Sequence, residues 1–322
     1  MNGEQTPEAK EAAAGPLPEP GEPSATGGTT TGTTGGGWRP ARAIPPGLHF
    51  VATPIGSARD ITLRGLDLLA GADVLAAEDT RTLRHLMEIH GVALGDRPLI
   101  AYHDHNGREA RPRLLRALAE GKSVAYASEA GTPLVADPGY QLARAAIEAG
   151  HPVLAAPGPS AVLAALSVSG LPTDRFLFAG FPPATGAARI RWLSELATVP
   201  ATLVLYESPK RIQKLLSDSS ETLGGARKAA VCRELTKRFE EVTRGSLADL
   251  AADFAQRNVK GEIVVVIDRP GEVVPEAADI ESALRDALAR GSVKDAVAEV
   301  SAALNLPRRE VYQTALRMEK GS

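Results

Sequence analysis

From residue 48 onward, short apolar runs alternate with longer stretches whose apolar positions recur every three or four residues. Leu48–Ala52 reads as a first strand, and Asp60 then caps a helix over Ile61–Ala70. Asp73–Ala77, Leu99–Ala101, Val124–Ala127 and Val153–Ala155 read as further strands. Between and after them fall helices over Leu83–His90, Glu109–Glu120, Tyr140–Ala149 and Val162–Ser169. Strands and helices in strict alternation predict a mostly parallel sheet covered on both faces.

A second series opens after Gly170–Arg175, with strands Phe176–Ala179, Ala201–Tyr206, Ala229–Cys232 and Glu262–Ile267. Helices are expected over Ala187–Ala197, after Tyr206, and over Leu247–Arg257. A linker, Pro270–Pro275, leads to three helical patterns broken at Gly291–Ser292 and at Asn305–Pro307. The expected organisation is an α/β domain over 45–169, a second over 170–269, and a helix-turn-helix-like appendage over 277–320.

Residues 1–44 stand apart. They are Gly, Pro, Thr and Ala with almost no large apolar side chains, including GGTTTGTTGGG from Gly27 to Gly37, and are expected to be disordered. The formal net charge is −3 and the pI about 6.1, so overall basicity does not point to nucleic acid. Local charge does. Arg108, Arg111, Arg113 and Arg116 outnumber Asp104 and Glu109; Arg227, Lys228, Arg233, Lys237, Arg238 and Arg244 outnumber Glu234, Glu240 and Glu241. Such patches suit a phosphate backbone or simply a solvated helix face. The single cysteine, Cys232, excludes an intrachain disulfide and a cysteine-based zinc site. With no spanning apolar stretch and no signal pattern, the chain reads as cytoplasmic.

Candidate chemistry gathers at strand carboxyl ends, where α/β sheets bind ligands. The fullest case is SEAGTPLVADPG, Ser128–Gly139, whose Gly131 and Gly139 permit backbone geometries a Cβ forbids while Pro133 and Pro138 stiffen the path. Neither G-x-G-x-x-G nor G-x-x-x-x-G-K-[ST] occurs, which lowers the case for a dinucleotide fold or a P-loop. His103 and His105, two apart, would face the same way on an extended segment, as a metal pair does. Glu78, Asp79 and Arg81 suit either catalysis or the capping of a helix start, and Glu207 with Arg211 suits either a site or a local ion pair.

TPIG with DITLR, AEDTR, HDHN, AGTPLVADPGY, PGPSA, SGLPTDRF, GFPP, YESP, RELTK and GEIVVVI occur in that order from Leu48 to Ile267. In this set the chain resembles the tetrapyrrole-methylase-like (class III) S-adenosylmethionine methyltransferases, and the SGLPTDRF, YESP and RELTK motifs resemble the branch that acts on ribosomal RNA. The resemblance implies a two-domain class III fold, S-adenosyl-L-methionine as methyl donor and no catalytic metal. It also implies 2′-O-methylation of a cytidine in the decoding region of 16S rRNA, on the RNA or the small ribosomal subunit, by a homodimer. Its cofactor contacts fall on Pro54, Ile55, Gly131, Thr132, Val135, Gly158, Ser160, Ala161, Tyr206 and Leu235. A ribose hydroxyl needs a proton acceptor, for which His103, Asp79, Glu78 and Glu207 are the candidates, His103 first because imidazole as a class can exchange a proton near working pH. The chain departs from the family pattern at Ser57, where Asn is usual, and at Glu129, where Asp is usual. A tetrapyrrole methylase would lack the appendage, and a noncatalytic RNA-binding relative would have lost AGTP and PGPSA.

Overall fold

The computed structural model describes residues 37–103, 105–135, 139–271, 277–304 and 306–320. Asp104 of HDHN, Pro138, most of the expected 270–275 linker and the tail up to residue 36 lie outside the described residues.

The first sheet is all parallel. Strands β1 (Gly47–Val51), β2 (Val74–Ala77), β3 (Leu99–Ala101), β4 (Ser123–Ala127) and β5 (Val153–Ala156) lie in the order β3-β2-β4-β1-β5. Their carboxyl ends therefore share one edge. Because successive side chains point to opposite faces, Leu48 and Phe50 of β1 join Val124 and Tyr126 of β4 in one core layer. Helices α3 (Gly107–Ala119) and α4 (Tyr140–Glu148) cover that layer with Leu114, Leu118 and Leu142. Val51, Leu75 and Ala125 face the other way, beneath Leu66 and Leu69 of α1 (Leu63–Gly71) and Leu83 and Met87 of α2 (Thr80–Ile89).

Helix α5 (Ala161–Ser169) follows β5 in the chain but packs elsewhere. Val162, Ala165 and Leu166 lie against Val204, Ala230, Val264 and Val266 of the second sheet. The helix that ends the first half thus forms one wall of the second, so the two lobes share a layer.

That second sheet is mixed. Strands β6 (Phe176–Gly180), β7 (Thr202–Glu207), β8 (Lys228–Arg233), β9 (Glu241–Ser246) and β10 (Ile263–Ile267) lie in the order β6-β7-β10-β8-β9, with only the β6–β7 pair parallel. Its other face carries α6 (Gly186–Leu196), α7 (Ile212–Leu223) and α8 (Leu247–Ala255), whose Ile212, Leu215, Leu250 and Phe254 bury against Leu203, Val231 and Val265. Strand β9 carries no apolar alternation in its sequence, EVTRGS, and exists because β8 supplies a full antiparallel ladder from Lys228↔Ser246 to Arg233↔Glu241. Ser246 ends that strand and starts α8 with a reciprocal Ser246–Asp249 capping box.

The tail boundary at residue 44 requires correction. Trp38 donates its indole N–H to Asp67 Oδ1 at 3.0 Å and its backbone N–H to Gly91 O at 2.9 Å, and with Ile44 it packs on the α1–α2 layer. One aromatic side chain supplies enough burial to order the segment after it. Helices α9 (Ala277–Leu288), α10 (Val293–Leu304) and α11 (Arg308–Lys320) enclose a core of their own built on Leu284, Val297, Val300 and Val311. Among the described residues no helix is long and apolar enough to cross a membrane.

Trp38→Ala removes a half-buried ring and one hydrogen bond, and should lower stability by about 1–2 kcal/mol. A denaturant midpoint that does not move would show that the segment before β1 adds nothing to the fold.

Candidate active site

Three loops leaving neighbouring parallel strands are tied to each other before they meet anything else. Thr53, just past β1, exchanges both backbone hydrogen bonds with Gly131, at 2.9 and 3.0 Å, as an isolated antiparallel bridge. Ser128 Oγ donates to Gly131 O at 2.9 Å, and Thr132 Oγ1 donates to Pro159 O in the loop after β5 at 2.9 Å. Gly131 sits at φ +82°, where L side chains are strained, so glycine is required for this turn. Gly158 meets a closer limit: a methyl group there would lie 2.9 Å from Ala52 Cβ.

A fourth loop, from the second sheet, closes over the first. A methyl group on Gly56 would lie 2.6 Å from both Thr236 Oγ1 and Lys237 Cγ and 2.9 Å from Leu235 O, so TPIG and RELTK touch backbone to backbone. Ser57 N donates to Thr236 Oγ1 at 3.1 Å. The departure at Ser57 leaves this bond intact because the main chain makes it. Glu234 and Thr236 hold φ of +51° and +63°, uncommon for non-glycine residues and costly for a β-branched one. A polar clamp sustains them. Glu234 Oε1 accepts from Glu262 N at 3.0 Å and Lys237 Nζ at 2.9 Å, while Glu240 Oε2 accepts from Thr236 N at 2.6 Å. The Glu262 N–H, and then Lys237, hold the Glu234 carboxyl below its usual range.

The four loops enclose a cavity of about 360 Å³. It gathers Ile55, Gly131, Thr132, Val135, Ser160, Ala161, Tyr206 and Leu235 from the expected cofactor set, and Glu207 from the expected catalytic set. Pro54 and Gly158 do not line it. They lie in the β1 and β5 loops and shape the wall from behind. The sequence reading missed Phe181, Ser208, Pro209, Cys232 and Gly261–Val264, which also line the cavity. The first three lie inside GFPP and YESP, motifs that carried a signal without indicating which side chain faces inward. Gly261–Val264 belong to GEIVVVI, which carried a signal in the same way, and an all-apolar strand looks alike on both faces.

The interior is largely apolar with one buried acid. Glu207 is 4% exposed; its Oε1 accepts from Ser208 N at 2.8 Å, and its Oε2 lies 3.2 Å from Arg211 Nη2. That second contact is an ion pair without hydrogen-bond alignment, so Oε2 is buried with no aligned donor among the described residues. Tyr206 is packed edge-on by Phe178 and Phe181, with ring centroids 4.8 and 5.5 Å apart. Burial pushes the Cys232 thiol up to about 11, so it is a neutral wall residue and no nucleophile at neutral pH.

The remaining acid–base candidates lie outside this cavity. Asp79 caps α2, accepting from Arg81 N at 2.7 Å and Thr82 N at 3.4 Å, with Arg81 Nη2 at 3.1 Å. The Arg81 side chain and backbone hold its carboxyl below the ordinary value. Glu78 ends β2 and accepts from Glu129 N at 3.2 Å, so the Glu129 departure is spanned by a main-chain contact. His103 follows β3, and its Nδ1 is buried without a hydrogen-bond partner among the described residues. The His103 and His105 rings stand 6.0 Å apart, and among the described residues no three His, Cys, Asp or Glu side chains gather as metal ligands.

Comparison with known proteins followed from this geometry. A family model described as tetrapyrrole (corrin/porphyrin) methylases matches residues 47–251, and one described as the RsmI C-terminal HTH domain matches 274–319. The chain is 47% identical over 284 residues to a ribosomal RNA small subunit methyltransferase I of Mesorhizobium japonicum, covering 88% of this chain and 96% of that one. To the protein of the same name from Mycobacterium tuberculosis it is 44% identical over 275 residues, 85% of this chain and 95% of the relative. A crystal structure of cobalt precorrin-4 methyltransferase superposes with a TM-score of 0.52 at 18% identity, covering 69% of this chain and 94% of that one, which speaks for the fold alone.

Gly56→Ala should separate the TPIG and RELTK loops and weaken S-adenosylmethionine binding by roughly tenfold or more, about 1.4 kcal/mol, with little change in melting temperature. Titration calorimetry that gives the wild-type affinity would show that the loop contact does not shape the ligand site.

Proposed function

We propose that this chain, which belongs to the tetrapyrrole (corrin/porphyrin) methylase family and to its ribosomal RNA small subunit methyltransferase I branch, 2′-O-methylates a cytidine in the decoding region of 16S rRNA. S-adenosyl-L-methionine is the methyl donor. The observation that carries the reading is the cavity between the two sheets, to which TPIG, AGTP, PGPSA and RELTK all contribute, together with GFPP, YESP and GEIVVVI. The helical appendage supports an RNA substrate over a tetrapyrrole one, since the matching model and the relatives extend through it.

The residues present fit the donor. Its size suits a cavity of about 360 Å³. Ser160 stands at the N-terminus of α5 without a side-chain cap, leaving first-turn N–H groups for a carboxylate. Ile55, Val135 and Leu235 offer apolar cover, Tyr206 and Phe181 offer aromatic faces, and Glu207 offers a negative charge inside. When bound, the donor supplies an electrophilic methyl carbon on a sulfonium. The protein's part is to hold a ribose oxygen in line with that carbon and to take the hydroxyl proton as the new C–O bond forms and the S–C bond breaks.

For the proton acceptor we assign His103. An imidazole titrates near neutrality, whereas Asp79 is held ionised and spent on helix capping, and Glu207 is bound by Arg211 and Ser208. His103 follows β3, a strand separated from β4 by β2, about 10 Å across the sheet. Glu78 fills the interval and grips the AGTP loop through Glu129 N. The acceptor strand then approaches over the β2–β3 edge, next to the arginines of α3.

The test is nucleoside mass mapping of 16S rRNA from cells with and without the protein, followed by methyl transfer in vitro. A single cytidine 2′-O-methyl group should vanish in its absence and be restored by purified protein. An unchanged map would overturn the reading. Because displacement at a sulfonium carbon needs no Lewis acid, transfer should also survive chelation once the RNA's own magnesium requirement is met.

Removal of residues 277–322 should weaken subunit binding while changing donor affinity by less than about twofold, since the cavity lining ends at Val264. Equal RNA affinity of truncated and full-length chains at matched salt would leave the appendage a packing role.

A further inference from the structure

A second cavity, of about 310 Å³, opens beside the first and is lined by Arg233, Phe239, Arg257, Asn258, Val259 and Lys260. The two share backbone. Arg233 is two residues from Leu235 and Lys260 precedes Gly261, and both Leu235 and Gly261 line the methyl-donor cavity. The floor is rigid. Glu241 of β9 accepts from Arg233 Nε at 3.0 Å and also pairs with Arg257. Arg257 is fixed again by Asp253 at 3.1 Å and by stacking 4.5 Å above the Phe254 ring, and Arg233 Nη1 donates to Lys260 O at 3.2 Å.

Over this floor stands a largely exposed aromatic ring. Phe239 is 64% exposed, and the Arg238 guanidinium lies 5.4 Å from its centroid. Among the described residues neither Arg238 nor Lys260 has a carboxylate partner: Glu241 is taken by two arginines, and Glu240 accepts from Thr236 N. An exposed aromatic face, two unpaired cations and the exposed Asn258 amide, set around a fixed guanidinium floor, match the chemistry of an unpaired nucleotide: a π face, phosphates and hydrogen-bonding base edges. They match an apolar protein segment poorly, because the charged rim would have to be desolvated.

We propose that this cavity holds an unpaired nucleobase of the RNA strand that carries the methylated nucleotide, stacked on Phe239, with Arg238 and Lys260 on the flanking phosphates. The inference rests on the ribosomal RNA reading above and adds to it the place where the strand is gripped.

The experiment measures methyl transfer from S-adenosylmethionine to purified small ribosomal subunits by the full-length protein and its variants. Phe239→Ala should raise KM for the subunit roughly tenfold or more, with kcat and calorimetric donor affinity unchanged, and Phe239→Tyr should restore it. Arg238→Ala with Lys260→Ala should lower the slope of log affinity against log salt by about 2. A wild-type KM for Phe239→Ala, in an assay where the unmodified protein is active, overturns this site and leaves the methyltransferase reading standing. Restoration by Phe239→Leu as fully as by Phe239→Tyr would mark an apolar protein contact and also overturn it. Wild-type protein that neither binds nor methylates the subunit overturns both.

Discussion

The site depends on one close approach, the absence of a side chain at Gly56 that lets the loop after β1 lie against Leu235 O and the Thr236 and Lys237 side chains. Three further loops of the cavity connect to it. TPIG is bridged to AGTP through Thr53 and Gly131, AGTP is tied to PGPSA through Thr132 and Pro159, and RELTK is tied to the start of β10 through Glu234 and Glu262. Left-handed backbone at Glu234 and Thr236 costs on the order of 1–3 kcal/mol per residue, offset by the hydrogen bonds to Glu262, Lys237 and Glu240. Strain of this kind persists where the surroundings over-determine it, and here it holds a lobe-to-lobe contact in place.

Polarity is distributed unevenly about that contact. Inside lie aliphatic and aromatic side chains, a thiol kept neutral by burial and a single buried carboxylate, so the electrostatic influence of Glu207 is strong because little water screens it. Outside, on β8, β9 and the segment before β10, the side chains are charged and cross-linked into a fixed floor. A small zwitterion suits the first environment and a polyanion the second. One strand of backbone, Arg233–Leu235, serves both sides.

Helix α5 explains how two lobes act as one unit. It leaves the first sheet at Ser160, where its N-terminus faces the cavity, and spends its apolar face on the second sheet. Ile55 and Val135 of the first lobe pack on the same cluster, so the placement of AGTP and RELTK is set by side-chain packing on α5 as well as by the loop contacts at Gly56 and Ser57.

Much of this was legible in the chain. The alternation of apolar runs and helical stretches determined the parallel first sheet, because burial on both faces forces continuous apolar strands, and the glycine- and proline-rich loops marked strand ends whose geometry only those residues permit. Most of the cavity's first-lobe lining lies in those loops, at positions the family resemblance implied. Tertiary structure alone decided the rest. Strand β9 takes its conformation from β8 and not from EVTRGS, Trp38 orders its segment only through Asp67 and the α1–α2 layer, and Asp79 proves to be a helix cap while Glu207 is buried at the cavity wall. Local pattern specifies which backbone a segment prefers; which of two carboxylates faces water and which a cavity is set by residues more than a hundred positions apart, and that information exists only once the chain has closed on itself.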